Sequence, residues 1–329
     1  MYKNGTIMQL GQVVKDIDKQ MEVLCRDFGF SSFDVHRFDS NKIHGSEVWG
    51  KPSSHSYLSA ACWKGDIQFE IMQPLEGVSI YSEFMEKHKG EGLQHFKIIY
   101  DGAQAKVAEL KNKGYRVMQS GEIGNDVFYA IDSENRTLGV TIEIGNNATL
   151  PAPDRIYPPE ATPSPRVERP LEDGDIMQIA HVTSDLEATM SGLYHDFGIG
   201  PFDVFYFSTD MIINPMYRGK PGKFTFRCAN ALSGGIQYQI LQPLTGDSIY
   251  SEHLKEHGDG LHHFKLYYND VDKKVKEYES KGYSVLQSGR ANGDKFFYFD
   301  TAEKCGGVII EIGNAGELPP LVGVYPEKK

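Results

Sequence analysis

The chain has 329 residues, of which 40% are hydrophobic and 24% charged, and a formal net charge of −11. This length suits two domains of ordinary size, each burying its own core. The acidic balance argues against nucleic acid, which needs a concentrated basic face. No apolar run approaches the roughly 20 residues of a spanning helix, so no membrane attachment is expected. The start MYKNGTIMQL lacks the basic and apolar stretches of a signal peptide. Cys25, Cys62, Cys228 and Cys305 lie far apart with no CxxC pair and read as reduced thiols. A cytoplasmic location is therefore expected.

In chain order, Gln9–Lys15 reads as a strand. Asp16 can cap a helix through MEVLCRDF that ends at Gly29. Strand-like runs follow at FDVHRF, HSYLSAACW and DIQFEIMQP. The order then recurs: strand GLQHFKIIY, helix AQAKVAELKNK stopped by Gly114, and strands near YRVMQS, DVFYAID and GVTIEIG. One half of the chain thus holds two βαβββ modules.

The other half repeats the first. IMQLGQVVKDID at 7–18 matches IMQIAHVTSDLE at 176–187, and IQFEIMQPLEGVSIYSEF matches IQYQILQPLTGDSIYSEH. Glu70 answers to Gln239, His95 to His263 and Glu143 to Glu311, with an offset that changes from 169 to 168. The tails also correspond: LPAPDRIYP at 150–158 is similar to LPPLVGVYP at 318–326. The expected organisation is a first domain over 1–147, an extended, exposed Pro-rich linker over 148–175, and a second domain over 176–329. Asp185 and Gly198 should bound the helix equivalent to Asp16–Gly29.

The pattern E-x-x-x-P-L, then SIY, GL-x-H-F and GV-x-IEI, resembles the vicinal oxygen chelate (glyoxalase, bleomycin resistance, dioxygenase) superfamily, with local likeness to methylmalonyl-CoA epimerases and glyoxalases. The resemblance covers both copies nearly end to end. It implies an α+β fold of tandem vicinal oxygen chelate domains, each from two paired βαβββ modules. It also implies one divalent metal held by inward side chains of the first and fourth strands of each module. Carried over position by position, those side chains are Gln9, Glu70, His95 and Glu143 in the first copy. In the second they are Gln178, Gln239, His263 and Glu311. Amide, carboxylate and imidazole donors suit Zn, Co, Ni, Mn or Fe without choosing among them. Modules could pair within a copy or swap between copies.

The activity the resemblance implies is that of a metal-dependent isomerase, epimerase or lyase removing a proton beside a carbonyl. Glu143 and Glu311 would be the catalytic carboxylates. The substrate would be a small molecule such as a CoA thioester or a 2-oxo compound, handled by an internal pseudo-dimer, with a homodimer left open. Epimerases carry a second glutamate base where this chain reads SSHSY and, in the second copy, GKFTF with Lys223. His55 is the substitute candidate acid or base in the first copy. His181 follows Gln178 by three residues and should point to the opposite face of its strand. Two other readings compete: a metal-free small-molecule binder of the same fold, and an iron-dependent ring-cleaving dioxygenase. The latter needs two histidine ligands, whereas each copy offers one.

Overall fold

The protein was analysed as a computed structural model describing residues 2–133, 139–162, 166, 169–291 and 293–327. Its described residues fall into two compact units. One draws on 1–136, 140–167 and 304–307, the other on 137–139, 168–303 and 308–329.

The first unit runs β1 (Thr6–Val13), α1 (Ile17–Phe28), β2 (Phe33–Phe38), β3 (His44–Val48), β4 (Lys51–Pro52), β5 (Ser56–Lys64), β6 (Ile67–Glu76), α2 (Ile80–Lys87), β7 (Gly92–Ile99), α3 (Ala103–Asn112), β8 (Arg116–Ile123), β9 (Asp126–Asp132), β10 (Thr141–Gly145) and β11 (Arg155–Tyr157). Its 11 strands form one sheet in the order β11-β2-β5-β6-β1-β7-β10-β9-β8-β3-β4. β1 and β6 are parallel, as are β7 and β10, and β1 joins the two modules by pairing antiparallel with β7. Ten of its strands come from the first copy and β11 from the segment that follows it, so the first copy's modules pair with each other.

The second unit repeats the plan. It runs β12 (Ile176–Val182), α4 (Leu186–Phe197), β13 (Phe202–Ser208), β14 (Ile213–Tyr217), β15 (Lys220–Pro221), β16 (Thr225–Ser233), β17 (Ile236–Thr245), α5 (Ile249–His257), β18 (Gly260–Tyr267), α6 (Val271–Ser280), β19 (Val285–Ala291), β20 (Asp294–Phe299), β21 (Ile309–Gly313) and β22 (Gly323–Tyr325). Its strand order mirrors the first, from β15 through β18-β12 to β22. The architecture is α+β, two tandem halves of paired modules.

Local chemistry sets the elements. The Asp16 carboxylate accepts from Lys19 N at 3.0 Å, satisfying an orphan helix donor, and Gly29 ends α1 in the left-handed region at φ 68°. Asp185 and Gly198 do the same for α4. On α1 the buried Ile17, Met21, Leu24 and Phe28 form one stripe at helical spacing. Short α2 and α5 lie between the modules, each opened by a serine capping box, Ser79 with Ser82 and Ser248 with Ser251. With eight and nine residues they carry too little periodicity to be read from the sequence. Among the described residues, no helix is long and apolar enough to cross a membrane.

Two described stretches of the Pro-rich segments form short edge strands. β11 adds to the sheet edge beside β2, with Arg155 opposite Val35, and Asp154 accepts from Arg37 N and from Lys42 Nζ. β22 pairs with β13, and the Tyr325 hydroxyl lies 3.3 Å from His195 Nε2. These strands cover edges that would otherwise leave backbone groups unpaired. Removing residues 318–329 should therefore lower the melting temperature by about 2–4 °C for each kcal/mol lost. Calorimetry of the truncated chain checks this, and an unchanged transition would mean the edge strand contributes nothing.

Candidate metal and catalytic site

In the first sheet β6, β1, β7 and β10 are consecutive neighbours. They carry Glu70, Gln9, His95 and Glu143 respectively. Gly11 is the register partner of both Glu70 and His95, and Lys97 that of both Gln9 and Glu143. Because strand side chains alternate, His95 and Lys97 share a face. The imidazole lies over Gly11, where a methyl group would fall 2.0 Å from His95 Cε1. Only glycine leaves that space.

His95 is buried and does not itself line the cavity of about 340 Å³ whose lining includes Gln9, Glu70, Lys97, Asp126, Glu143, Tyr57 and Tyr81. Its Nδ1 lies 2.7 Å from Gln94 Oε1, an acceptor, which assigns the proton to Nδ1 and leaves the Nε2 lone pair available. Nε2 is buried and has no hydrogen-bond partner. It faces Glu70 Oε2 at 3.7 Å and Glu143 Oε2 at 3.9 Å. Two donors on one ion, each about 2.0–2.2 Å from it, lie roughly 3–4 Å apart. Gln9 Nε2 donates to Gln68 Oε1 at 2.7 Å, so its own amide oxygen remains an acceptor on the cavity wall. These donor types and the His95–Glu70 and His95–Glu143 spacings are compatible with a shared divalent cation, although among the described residues no group of three His, Cys, Asp or Glu side chains is already closed around a metal position.

The electrostatics agree. Burial holds the His95 pKa down, outweighing the pull of Glu143, so the ring stays neutral. Burial and then the neighbouring Glu143 push Glu70 up to about 7, against the Ser59 hydroxyl that donates to it at 2.6 Å. Lys97 lies 3.0 Å from Glu143 and 3.2 Å from Asp126. Burial opposes its charge, but Asp126 and Glu143 overcome that and hold the ammonium protonated. Three carboxylates thus surround one fixed cation, which leaves an excess negative charge suited to a dication.

The second copy places Gln178, Gln239, His263 and Glu311 on the equivalent strands, but their arrangement differs. Ala180 replaces Gly11 as the register partner of Gln239 and His263. His263 Nδ1 meets His262 Nδ1 at 2.7 Å, and His263 Nε2 sits 3.0 Å from Glu311 Oε2, close although too oblique for a well-formed hydrogen bond. Lys265 is 3.2 Å from Glu311 and 3.4 Å from Asp294. Burial raises the Glu311 pKa, yet Lys265 and His263 together bring it below the usual value. Two carboxylates against one ammonium, with the imidazole drawn onto Glu311, fit a dication poorly.

His55 does not reach the first cavity. It is buried, with Nδ1 3.4 Å from Ser53 Oγ and its ring stacked on Tyr57. A register irregularity between Ser56 and Tyr57 breaks the alternation there, and Tyr57 faces the cavity instead. His181 is turned away, 3.1 Å from the Tyr238 hydroxyl. Sequence reasoning missed Lys97 and Asp126. The signal was present: HFK and a strand-opening Asp recur in both copies, with the lysine two residues after the histidine.

A family model described as the glyoxalase/bleomycin resistance protein/dioxygenase superfamily matches residues 8–130 and again 177–299. No curated protein sequence matches at a significant level. Among solved structures, a mutant 4-hydroxymandelate synthase from Streptomyces coelicolor is similar at TM-score 0.63 and 13% identity, covering 97% of this chain and 95% of that one. The Mn(II)-bound glyoxalase from Novosphingobium aromaticivorans aligns at TM-score 0.50 and 14% identity, covering 96% and 84%. Methylmalonyl-CoA epimerase from Mycobacterium tuberculosis aligns at TM-score 0.36 and 17% identity, over 46% of this chain and 94% of that one. At these identities the likeness is one of fold.

Gly11→Ala should displace the His95 ring and weaken binding of a divalent cation about 10–100-fold, the usual cost of disturbing a ligand's support. Competition with a chelating dye reads this. Unchanged affinity would remove His95 from the ligand set. Glu70→Gln should also weaken the cation while stabilising the metal-free protein by about 1–3 kcal/mol, because a buried negative charge is removed. Thermal unfolding in a chelator checks the sign.

Proposed function

This chain belongs to the glyoxalase/bleomycin resistance protein/dioxygenase superfamily, and from that premise we propose that its first unit is a metal-dependent isomerase, epimerase or lyase site. The reaction class is removal of a proton from carbon beside a carbonyl group of a small molecule. The observation that carries this reading is His95 Nε2, buried and without a partner, with its tautomer set by Gln94 and with Glu70 and Glu143 facing it.

Gln9, Glu70, His95 and Glu143 would hold the ion, which when bound supplies Lewis-acid polarisation of substrate oxygens. Glu143 is the general base. It lies on the cavity wall, and Lys97 fixes one of its oxygens at 3.0 Å, so the carboxylate is oriented before substrate arrives. Asp126 shares the Lys97 ammonium, which keeps that cation from neutralising Glu143 alone. Tyr57, Tyr81, Phe38 and Phe128 give the cavity an apolar wall that limits water around the reacting carbon. One histidine in the ligand set argues against the ring-cleaving dioxygenase reading, whose iron takes two histidines and a carboxylate.

The reading predicts one tightly held divalent ion per chain, measurable by metal analysis after gel filtration. Glu143→Gln should slow solvent deuterium exchange into the reactive carbon of a 2-oxo or thioester substrate by about 10²–10⁴-fold. Glu311→Gln should cost far less. Equal loss from both substitutions, or two ions held equally through a chelator titration, would overturn the assignment to the first unit.

A further inference from the structure

We propose that His36, on β2, is the acid that returns a proton to the substrate carbon from the cavity wall facing Glu143, so that the first unit inverts configuration at that carbon. This rests on the reading of the first unit as a proton-abstraction site and narrows it to epimerisation. Asp34, His36 and Phe38 alternate along β2, share one face, and all line the cavity of about 340 Å³. In the sheet, β5, β6, β1 and β7 lie between β2 and β10, the strand of Glu143. On a flat sheet, strand steps of about 4.8 Å would part β2 from β10 by about 24 Å. Because His36 and Glu143 line one cavity, the sheet curls and brings them to it from different sides.

The imidazole is held but not occupied. Its ring stacks on Phe38 at 5.2 Å with 11° between the planes. Among the described residues its nitrogens take no hydrogen bond, and neither is sealed away without a partner as His55 Nε2 is. The charged groups facing it are Asp34 on its own strand, Asp154 before β11 and Lys42 in the loop after β2. Burial holds its pKa below the ordinary imidazole value, and Asp154 and Asp34 limit the drop. His36 lies opposite Ser59, whose hydroxyl donates to Glu70 at 2.6 Å. In the second copy Phe205 lies opposite Cys228, and Gln239 stands for Glu70. The imidazole thus accompanies the full carboxylate cluster and is missing where that cluster is reduced. In the step itself, Glu143 takes the proton from carbon and the bonding pair passes into the carbonyl as an enolate. The His36 imidazolium then gives its N–H proton to the same carbon and becomes neutral. Water takes the proton from Glu143 and returns one to His36.

The test uses (S)-3-methyl-2-oxopentanoate, which has adjacent oxygens and one stereogenic C–H beside its ketone. In deuterium oxide with added Mn(II), the full chain should exchange that hydrogen and invert the centre. His36→Phe installs the residue that the second copy carries at this strand position, so the fold should be retained. It should cut inversion about 100-fold or more while exchange through Glu143 continues. Glu143→Gln should stop both. In the unmodified chain, inversion per exchange should fall as pH rises through the His36 pKa, because the imidazolium is lost. Proton NMR gives a readout without turnover: oxalate, planar and lacking a C–H, should raise the pKa of the ring whose signal is missing from His36→Phe. Inversion and exchange falling together in His36→Phe, inversion surviving that substitution, or a ring indifferent to oxalate would each overturn the proposal. An unmodified chain that exchanges no hydrogen would instead overturn the reading of the site on which the proposal rests, before any variant is made.

Discussion

Burying negative charge is costly unless something positive meets it, and the first unit is organised around that constraint. Glu70, Glu143 and Asp126 converge near the centre of a sheet, where water screens them poorly. Lys97 answers part of the charge, and the Ser59 hydroxyl steadies one oxygen of Glu70. What is left is a carboxyl raised to about 7 beside a neutral imidazole whose lone pair has no partner. Such a cluster destabilises the chain by itself and becomes favourable when a cation occupies it.

The second unit solves the same problem differently. Gln239 removes one carboxylate outright, so Lys265 faces two carboxylates where Lys97 faces three. Ala180 puts a methyl group at the position over which the first copy's imidazole lies, and His263 sits against Glu311 instead. Tyr298 then takes up space that Ala130 leaves open. Each change is small in sequence, yet together they remove one carboxylate from the cavity and add an aromatic ring to its wall without altering strand order. The duplication preserved backbone register and allowed the cavity surface to diverge.

That separation follows from sheet geometry. Register is fixed by the buried faces, because a one-residue slip would exchange core and solvent sides. Side chains facing the cavity carry less of this burden and can vary. The tail strands extend the same logic, since β11 and β22 protect sheet edges while the residues just before them reach the cavity rims, Leu150 and Leu318 among them.

The duplication, the βαβββ order and the helix caps at Asp16 and Asp185 were legible in the sequence because each rests on local chemistry or on direct repetition. The candidate positions Gln9, Glu70, His95 and Glu143 were carried over from the family resemblance motif by motif, and the fold places them on four consecutive neighbouring strands. Lys97 and Asp126 were written in the repeat but carried no ligand pattern, and their meaning depends on charges brought from other strands. The surroundings of His55 depend on a register irregularity at Ser56 and Tyr57 that leaves no mark in the residue order. Gly11 and Ala180 occupy equivalent positions in the two copies. Only tertiary structure places Gly11 beneath an imidazole, where an added methyl group would fall 2.0 Å from His95 Cε1 and the ring would have to move.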